Sequence, residues 1–511
     1  MTNNTLAVSA PPAPGHTRKD RPRLVLAIIL TCQLMVVLDT TVVNIALPHI
    51  KAALHFSAPS LSWVVNAYTL TFGGLLLLGA RCGDILGRRR TFGAGIALFT
   101  VASFAGGFAT SSTWLLAARA AQGIGASFAA PSALALLMIE FRDARARTRA
   151  IGWYTAVSIG GAALGLLAGG MLTEWVSWRW VLFVNVPIGV AVLGFARTTL
   201  PETARNAGRF DAAGALTSTL GMASVVYAFV RAATDGWGDR GTIAAFVVGG
   251  LLLVAFVLVE RRASQPITPL RLFADRNRAT SYVARLFLVA GMYGMFFFLT
   301  QFLQGVLGYS PLRGGLAFLP LTVALFAASQ LSSRFLADRF PPKLIMVGGL
   351  ILSTCGLAWL TRLSEASAYG DVLGPLLLFG IGNGLAFVPL TTTSLAGVLP
   401  EDAGAGSGLV NVMQQVGGSL GLAVLVSVFG EASRSAARST AHIAGALNRA
   451  HHVFIIGADK AFLAAAIFLA ATVLLTLVAI DRRPGISRAP SWQGARSGEG
   501  AHEPALEGTI A

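Results

Sequence analysis

The chain has 511 residues, of which 54% are hydrophobic and only 12% charged, against the roughly 25% charged of a soluble domain. Those proportions exclude an ordinary soluble globular protein and leave a polytopic membrane protein. The formal charge of +16 does not by itself point to nucleic acid, because Lys and Arg concentrate in the cytoplasmic loops of membrane proteins.

Residues 1–23 are polar and Pro-containing, and are predicted to be a disordered cytoplasmic tail. The apolar segment that follows is too long for a signal-peptide core, so it is predicted to remain as the first span. Windows of about 20 apolar residues, enough to cross ~30 Å of hydrocarbon, then recur along the chain. Six are predicted at 24–48, 62–80, 91–110, 113–138, 148–173 and 180–198, an N-terminal bundle over residues 24–198. Two further apolar segments, 213–231 and 242–260, read as a hairpin inserted in a linker over 199–278. The last six, at 281–307, 312–336, 343–362, 372–396, 406–430 and 459–480, make a second bundle over 279–480. Residues 481–511 form a second polar, disordered tail.

The pattern of six, two and six gives an all-α integral membrane protein of about 14 spans. The basic links RRRTF after the second span and EFRDARARTR after the fourth put both termini in the cytoplasm, and place the chain in the inner (plasma) membrane. The longest external stretch, near 431–452, is expected to be partly helical, with His451 and His452 solvated. Cys32, Cys82 and Cys355 lack the spacing of a redox or metal site and read as packing residues.

Asp39 interrupts the run VVLDTTVVNIALP in the first span. A charge at the centre of a membrane helix costs about 2.5–3.5 kcal/mol on insertion scales, so it calls for a partner or a proton. At 1.5 Å per residue Asp39 lies about 22 Å from the start of its span, and Arg119 lies roughly 9 Å below the outer start of the fourth, so both sit at similar depth. One reading is a structural ion pair; the other is proton coupling, in which a changed environment makes the carboxylate load and release a proton.

A weak repeat joins the two halves. ARCGDILGRRR (80–90) and RFLADRFPPK (334–343) both follow the second span of their bundle, with Asp84 aligned on Asp338 and Arg89 on Lys343. The first resembles the loop signature GxLADRxGRRR of the major facilitator superfamily, with Asp84, Gly87 and the arginines kept and Ala80, Cys82, Gly83 and Ile85 departing from it. LDTTVVNIALP (38–48) and WRWVLFVNVPIG (178–189) resemble the fourteen-span drug:proton antiporters of the EmrB/QacA type, and LLAARAAQGIGA (115–126) resembles the superfamily's RxxQGxGA. The resemblance spans 24–480. It implies two six-helix bundles with an inserted hairpin, no cofactor, and proton-driven export of an amphipathic small molecule by a monomer, by alternating access. Asp84, Gly87, Arg88, Arg89, Asp338 and Arg339 are then a conformational latch of charges at helix ends.

In the fifth span Gly161, Gly165 and Gly169 share one helix face and predict a seam of close backbone approach. The family signature there is GxxxGPxxGG, and Leu166 stands where the proline belongs, so the simplest cause of a kink is missing. That departure keeps a proton-coupled importer of a small metabolite as the alternative. Gln122, Tyr293, Phe297, Gln301, Asn383, Asn411 and Gln415, polar or aromatic groups within apolar runs, are candidates to line a substrate cavity or to bind helices together. No Walker A motif and no paired acids, His cluster or nucleophile with a base argue for an ATPase or a membrane enzyme.

Overall fold

Backbone polar groups in hydrocarbon must be bonded within their own segment, so apolar runs of this length are expected to be helices. In the computed structural model, which describes residues 22–141, 143–202, 211–263, 266, 268–399, 402–439 and 445–481, helices account for every regular element among those residues. In chain order they are α1 (Pro22–Leu54), α2 (Trp63–Leu86), α3 (Arg88–Gly107), α4 (Ser112–Glu140), α5 (Ala144–Trp175), α6 (Trp180–Phe183), α7 (Asn185–Thr199), α8 (Ala212–Asp235) and α9 (Arg240–Arg262). There follow α10 (Arg276–Gly305), α11 (Pro311–Ala317), α12 (Leu319–Leu331), α13 (Pro342–Leu360), α14 (Tyr369–Leu395), α15 (Ala403–Ser439) and α16 (Ala446–Ala479). Side-chain oxygens begin many of them: Ser111 accepts from Trp114 N–H, Asp143 from Ala146, Asp211 from Gly214, Asp275 from Arg278 and Ser310 from Arg313.

Thirteen helical stretches among the described residues are long and apolar enough to cross a membrane, one fewer than expected. The missing one is α3, whose three leading arginines and its glycines lower its apolarity, although it lies at its predicted place and packs on α4 and α7. Two predicted spans are interrupted where a proline cannot donate to the carbonyl four residues back: Pro187 beside the α6–α7 junction and Pro320 beside the α11–α12 junction. α15 and α16 run to Ser439 and from Ala446, so most of the predicted external stretch is helix. His452 Nδ1 lies 3.2 Å from Glu365 Oε1 rather than standing in solvent alone. Apart from Pro22 and Arg23, which open α1, and Asp481, the two predicted tails lie outside the described residues.

The helices form two six-helix bundles and a hairpin. In the first bundle α1 packs on α4, α5 and α7, and α4 packs on α2 and α3; in the second, α10, α15 and α16 meet one another and α14 packs on α12 and α13. Of the hairpin, α9 packs chiefly on α8, while α8 lies across α2 and α15 and so touches both bundles. The loop after α9 is tied to the start of α15 by a two-pronged pair, Arg271 Nε to Asp402 Oδ2 at 2.6 Å and Nη2 to Oδ1 at 2.7 Å.

The bundles meet tightly at the face away from Pro22 and Asp481. There Gly170 lies so close to Leu312 that an added Cβ would come 2.6 Å from its Cα, and Gly315 abuts the Leu166 carbonyl. Gln304 Nε2 donates to Ile45 O at 2.9 Å, and Leu312 N–H donates to Glu174 Oε2 at 2.9 Å, each crossing from one bundle to the other. At the opposite face the near half of α5 stands clear: a Cβ at Gly152 or Gly160 would meet nothing within 4 Å, and Trp153 is exposed. The bundles are therefore closed on each other at the far face, while at the face bearing the termini α5 stands clear and α15 still touches α2, an added Cβ on Gly408 coming 2.4 Å from Leu77 Cδ2.

Along α5 three glycines lie against α1. A Cβ at Gly161 would lie 3.0 Å from Leu34 Cδ1, one at Gly165 would collide with the Thr41 hydroxyl, and one at Gly169 would lie 2.9 Å from Val42 Cα, so α5 rides on α1. Gly165→Leu should destabilise the protein by roughly 1–3 kcal/mol through overpacking, whereas Gly160→Leu, with open space around it, should be near neutral; thermal unfolding in detergent compares the two. The Arg271 guanidinium holds the Asp402 carboxyl below its ordinary value, so the pair stabilises the fold above about pH 4, where an unfolded Asp ionises, and that contribution fades as pH falls through the lowered folded value. Asp402→Asn should accordingly lower the melting temperature at pH 7, with the gap to the parent closing towards pH 3.

Candidate functional site

Within α1 the hydroxyls of Thr40 and Thr41 bond back to carbonyls of their own helix, Val37 O at 2.7 Å for the first, and so need nothing from outside. A carboxylate has only acceptors and cannot do the same. Asp39 is 0% exposed, and its oxygens are met from other helices: Oδ2 accepts from Arg119 Nη1 at 2.5 Å, and Oδ1 accepts from Gln122 Nε2 and from Asn185 Nδ2, both at 2.9 Å. Arg119 and Gln122, three residues apart, present one face of α4 to α1. Asn185 comes from the first residue of α7.

The cation is equally well held. Arg119, 2% exposed, donates from Nε to Val64 O on α2 at 3.0 Å and from Nη1 to Gln122 Oε1 at 3.0 Å, and its guanidinium stands 4.5 Å from the centre of the Tyr68 ring. Gln122 Nε2 also donates to Ser103 Oγ on α3 at 2.7 Å. Charge and hydrogen bonds from α1, α2, α3, α4 and α7 thus converge at one point. Around it the Tyr68 hydroxyl, Asn185 Oδ1 and both polar atoms of Asn66 are buried without a hydrogen-bond partner, so the site holds unused polar capacity.

The sequence placed Asp39 and Arg119 at one depth, and the structure brings them into contact. It puts Gln122 in the same network rather than on a cavity wall. Asn185, Ser103 and Tyr68 were missed. Asn185 carried the available signal, an amide within the apolar run WRWVLFVNVPIG.

The other candidates divide. Gly87, at φ +101°, breaks the chain between α2 and α3 in a conformation that glycine adopts without strain. Asp84 pairs with Arg88 in its own loop, while Arg89 Nε donates to Glu202 Oε2 at 3.2 Å and Nη1 to Leu200 O at 3.3 Å, fastening the loop to the end of α7. Asp338 and Arg339 are exposed and form no ion pair among the described residues, and Lys343 Nζ instead donates to Leu477 O at 2.6 Å. The latch groups are therefore gathered in the first bundle and dispersed in the second.

Of the cavity candidates, Phe297 is buried in an aromatic cluster with Phe298, and Gln301 and Asn383 are buried and donate to carbonyls of their own helices, Phe297 O at 3.1 Å and Phe379 O at 3.3 Å. Gln415 is buried where α15 crosses Gly73 of α2, and Tyr293 packs on Gly418. These positions are packed among the helices in this conformation. Asn411, between Gly408 and Gln415 on the α15 face that meets α2, is exposed.

The described residues contain no group of three or more His, Cys, Asp or Glu able to hold a metal ion. The site is thus a bonded carboxylate–guanidinium pair buried among helices long and apolar enough to cross a membrane. Residues 29–422 match the profile of the Major Facilitator Superfamily, and the chain belongs to that family. It is 45% identical to the puromycin resistance protein pur8 of Streptomyces alboniger, over 79% of this chain and 81% of the relative. It is 42% identical to the cephamycin export protein CmcT of Amycolatopsis lactamdurans, over 79% and 85%. Among solved structures it resembles a bacterial homologue of the human lysosomal transporter Spinster in an inward-facing, unoccupied conformation, with TM-score 0.64 and 18% identity over 91% of this chain and 98% of that one, a likeness of fold.

The geometry makes the ion pair a unit. Asp39→Leu alone strands the Arg119 cation and should cost about 3–5 kcal/mol, while Asp39→Leu combined with Arg119→Met, which removes both charges, should recover most of that loss; denaturation in detergent measures both.

Proposed function

We propose that the protein exports amphipathic small molecules, drugs or natural products, across the inner membrane by proton antiport, as a monomer working by alternating access. The observation that carries the reading is the Asp39 carboxylate, buried at the junction of five helices yet bonded entirely by side chains that can let go: Arg119, Gln122 and Asn185. The resistance and export roles named for the relatives from Streptomyces and Amycolatopsis support the direction of transport. With the termini in the cytoplasm, the face at which α5 stands clear is the inward one.

The mechanism follows from charge. While Asp39 is ionised, Arg119 is neutralised and the α1–α4 contact is stable. A proton on Asp39 removes the anion, leaves the guanidinium without its counter-charge and weakens the tie between α1 and α4. Because α5 rides on α1 through the glycine seam and meets α11 through Gly170 and Gly315, a shift of α1 is carried to the closed far face. Proton release restores the pair. In this scheme the bonds of Glu174 and Gln304 across the far face yield as that side opens, and the loop holding Asp84, Arg88 and Arg89 resets at the other.

An importer would use the same parts. Leu166, in the place of the signature's proline, is the residue that favours it. Its buried side chain and its carbonyl contact with Gly315 supply close packing between the bundles without a kink, which supports the export reading as well.

Asp39→Asn keeps the shape and can still accept from Gln122 and Asn185 through its amide oxygen, which makes it milder than Asp39→Leu, but it takes the anion from Arg119 and cannot carry a proton in exchange. The variant is expected to be recovered from detergent in good yield and to lose efflux driven by a pH gradient in everted vesicles at least tenfold, while substrate still binds. A stable variant with undiminished proton-driven export would sink the coupling role, and proton-linked movement in the opposite direction would establish the importer.

A further inference from the structure

A second arginine is buried in this molecule, and it lacks what Arg119 has. Arg285, on α10, is 2% exposed. Its Nη2 donates to the Thr391 hydroxyl of α14 at 2.6 Å, and its guanidinium lies 4.1 Å from the centre of the Phe387 ring. Its Nε is buried without a partner, and no carboxylate pairs with it among the described residues. A guanidinium has five N–H donors, so one hydroxyl and one ring leave most of its capacity unused. The contrast with Arg119, which has a carboxylate, an amide and a backbone carbonyl, shows how this fold treats an arginine whose only work is internal.

Position adds to the argument. Arg285 is nine residues into α10, about 14 Å from the end nearest the face bearing the termini. Phe387 and Thr391 lie one helical turn apart on α14, following Gly380 and Gly384, whose backbones pack on α12. The guanidinium thus sits where α10 and α14 meet in the second bundle, on the side of the molecule where α5 stands clear. Thr392 beside it and Asn411 on α15 are exposed.

We propose that Arg285 is the docking point for the acidic group of a transported amphiphile, a carboxylate received by the guanidinium while the apolar body lies against Phe387. The planar fork of donors matches a carboxylate, and the ring provides a surface for an apolar skeleton. This assignment rests on the transporter reading and names the substrate chemistry: amphipathic acids. It requires nothing of Asp39, which lies in the other bundle.

The test is binding at equilibrium, with no gradient, so that its outcome is separate from the question of proton coupling. Purified full-length protein in phosphatidylcholine nanodiscs is titrated with fluorescent naphthyl carboxylates and with their methyl esters. The parent protein should bind the acids at least tenfold more tightly than the esters. Arg285→Gln should erase that preference while leaving ester binding unchanged, Arg285→Lys should keep part of it, and Thr391→Val, which frees the guanidinium without removing it, should change it only a few-fold. Equal affinity for acid and ester in the parent overturns the proposal whether or not the Arg285 variants fold. So does a preference that survives Arg285→Gln, or an equal loss of acid and ester binding, the mark of a structural arginine. A preference abolished by adding phosphatidylglycerol, with that lipid retained on the parent and absent from Arg285→Gln in native mass spectra, would assign the site to a lipid phosphate and overturn the substrate assignment.

Discussion

A carboxylate buried among membrane helices has to be answered charge for charge and bond for bond, and Asp39 sets that requirement for the whole first bundle. Arg119 cancels its charge, and Gln122 and Asn185 fill its second oxygen. The cation then makes its own demands, which the Val64 carbonyl and the Tyr68 ring meet. The partners arrive on three other helices, Arg119 and Gln122 on α4, Val64 and Tyr68 on α2 and Asn185 on α7, so the network fixes how these are arranged around α1. A buried pair of this kind is weak evidence for stability, since desolvation offsets much of the attraction. In the proposed mechanism its value lies in being conditional, because one added proton would change what every partner needs.

The response of the molecule to such a change is governed by small residues. Gly161, Gly165 and Gly169 let α5 lie against α1, and Gly170 and Gly315 let α5 meet the second bundle. Where backbones are this close, side chains cannot buffer a displacement, and a shift in one helix is passed to the next as a body. At the face bearing the termini the same helix has open space around Gly152 and Gly160. α5 therefore works as a stiff arm, engaged at one end and free at the other.

The hairpin α8–α9 meets both bundles through α8. Its Thr219 lies against Gly74 of α2, while the carbonyls of Ala232 and Ala233 receive Arg434 of α15, so one helix touches both bundles. α9 presents apolar side chains outwards along most of its length and is held by α8. The inserted segment thus borders the line where the two bundles meet and is seated on both.

By itself the sequence determined the helices, their order and the grouping into six, two and six, because each is dictated locally: apolar runs of membrane length must bond their own backbones, and prolines and glycines mark where they stop or bend. It also determined that Asp39 and Arg119 lie at one depth, since helical rise is fixed, and that Gly161, Gly165 and Gly169 share a face. Which faces meet was decided only by tertiary structure. Phe297, Gln301 and Gln415 read as possible cavity residues because a polar or aromatic group looks the same in sequence whether it turns to a cavity or to another helix, and packing turned them inward. Asn185 and Ser103 became part of the site because α7 and α3 happen to bring them beside α4, a coincidence of position with no local cause. Asp338 repeats Asp84 in the sequence but not its pairing, since the chain after α12 leaves as a π-helical turn, Ser332–Leu336, that carries the acid into solvent. Arg285 is the extreme case: nothing in its neighbours along the chain distinguishes it, and only the tertiary structure shows it buried with a hydroxyl and a ring beside it and no carboxylate paired to it among the described residues.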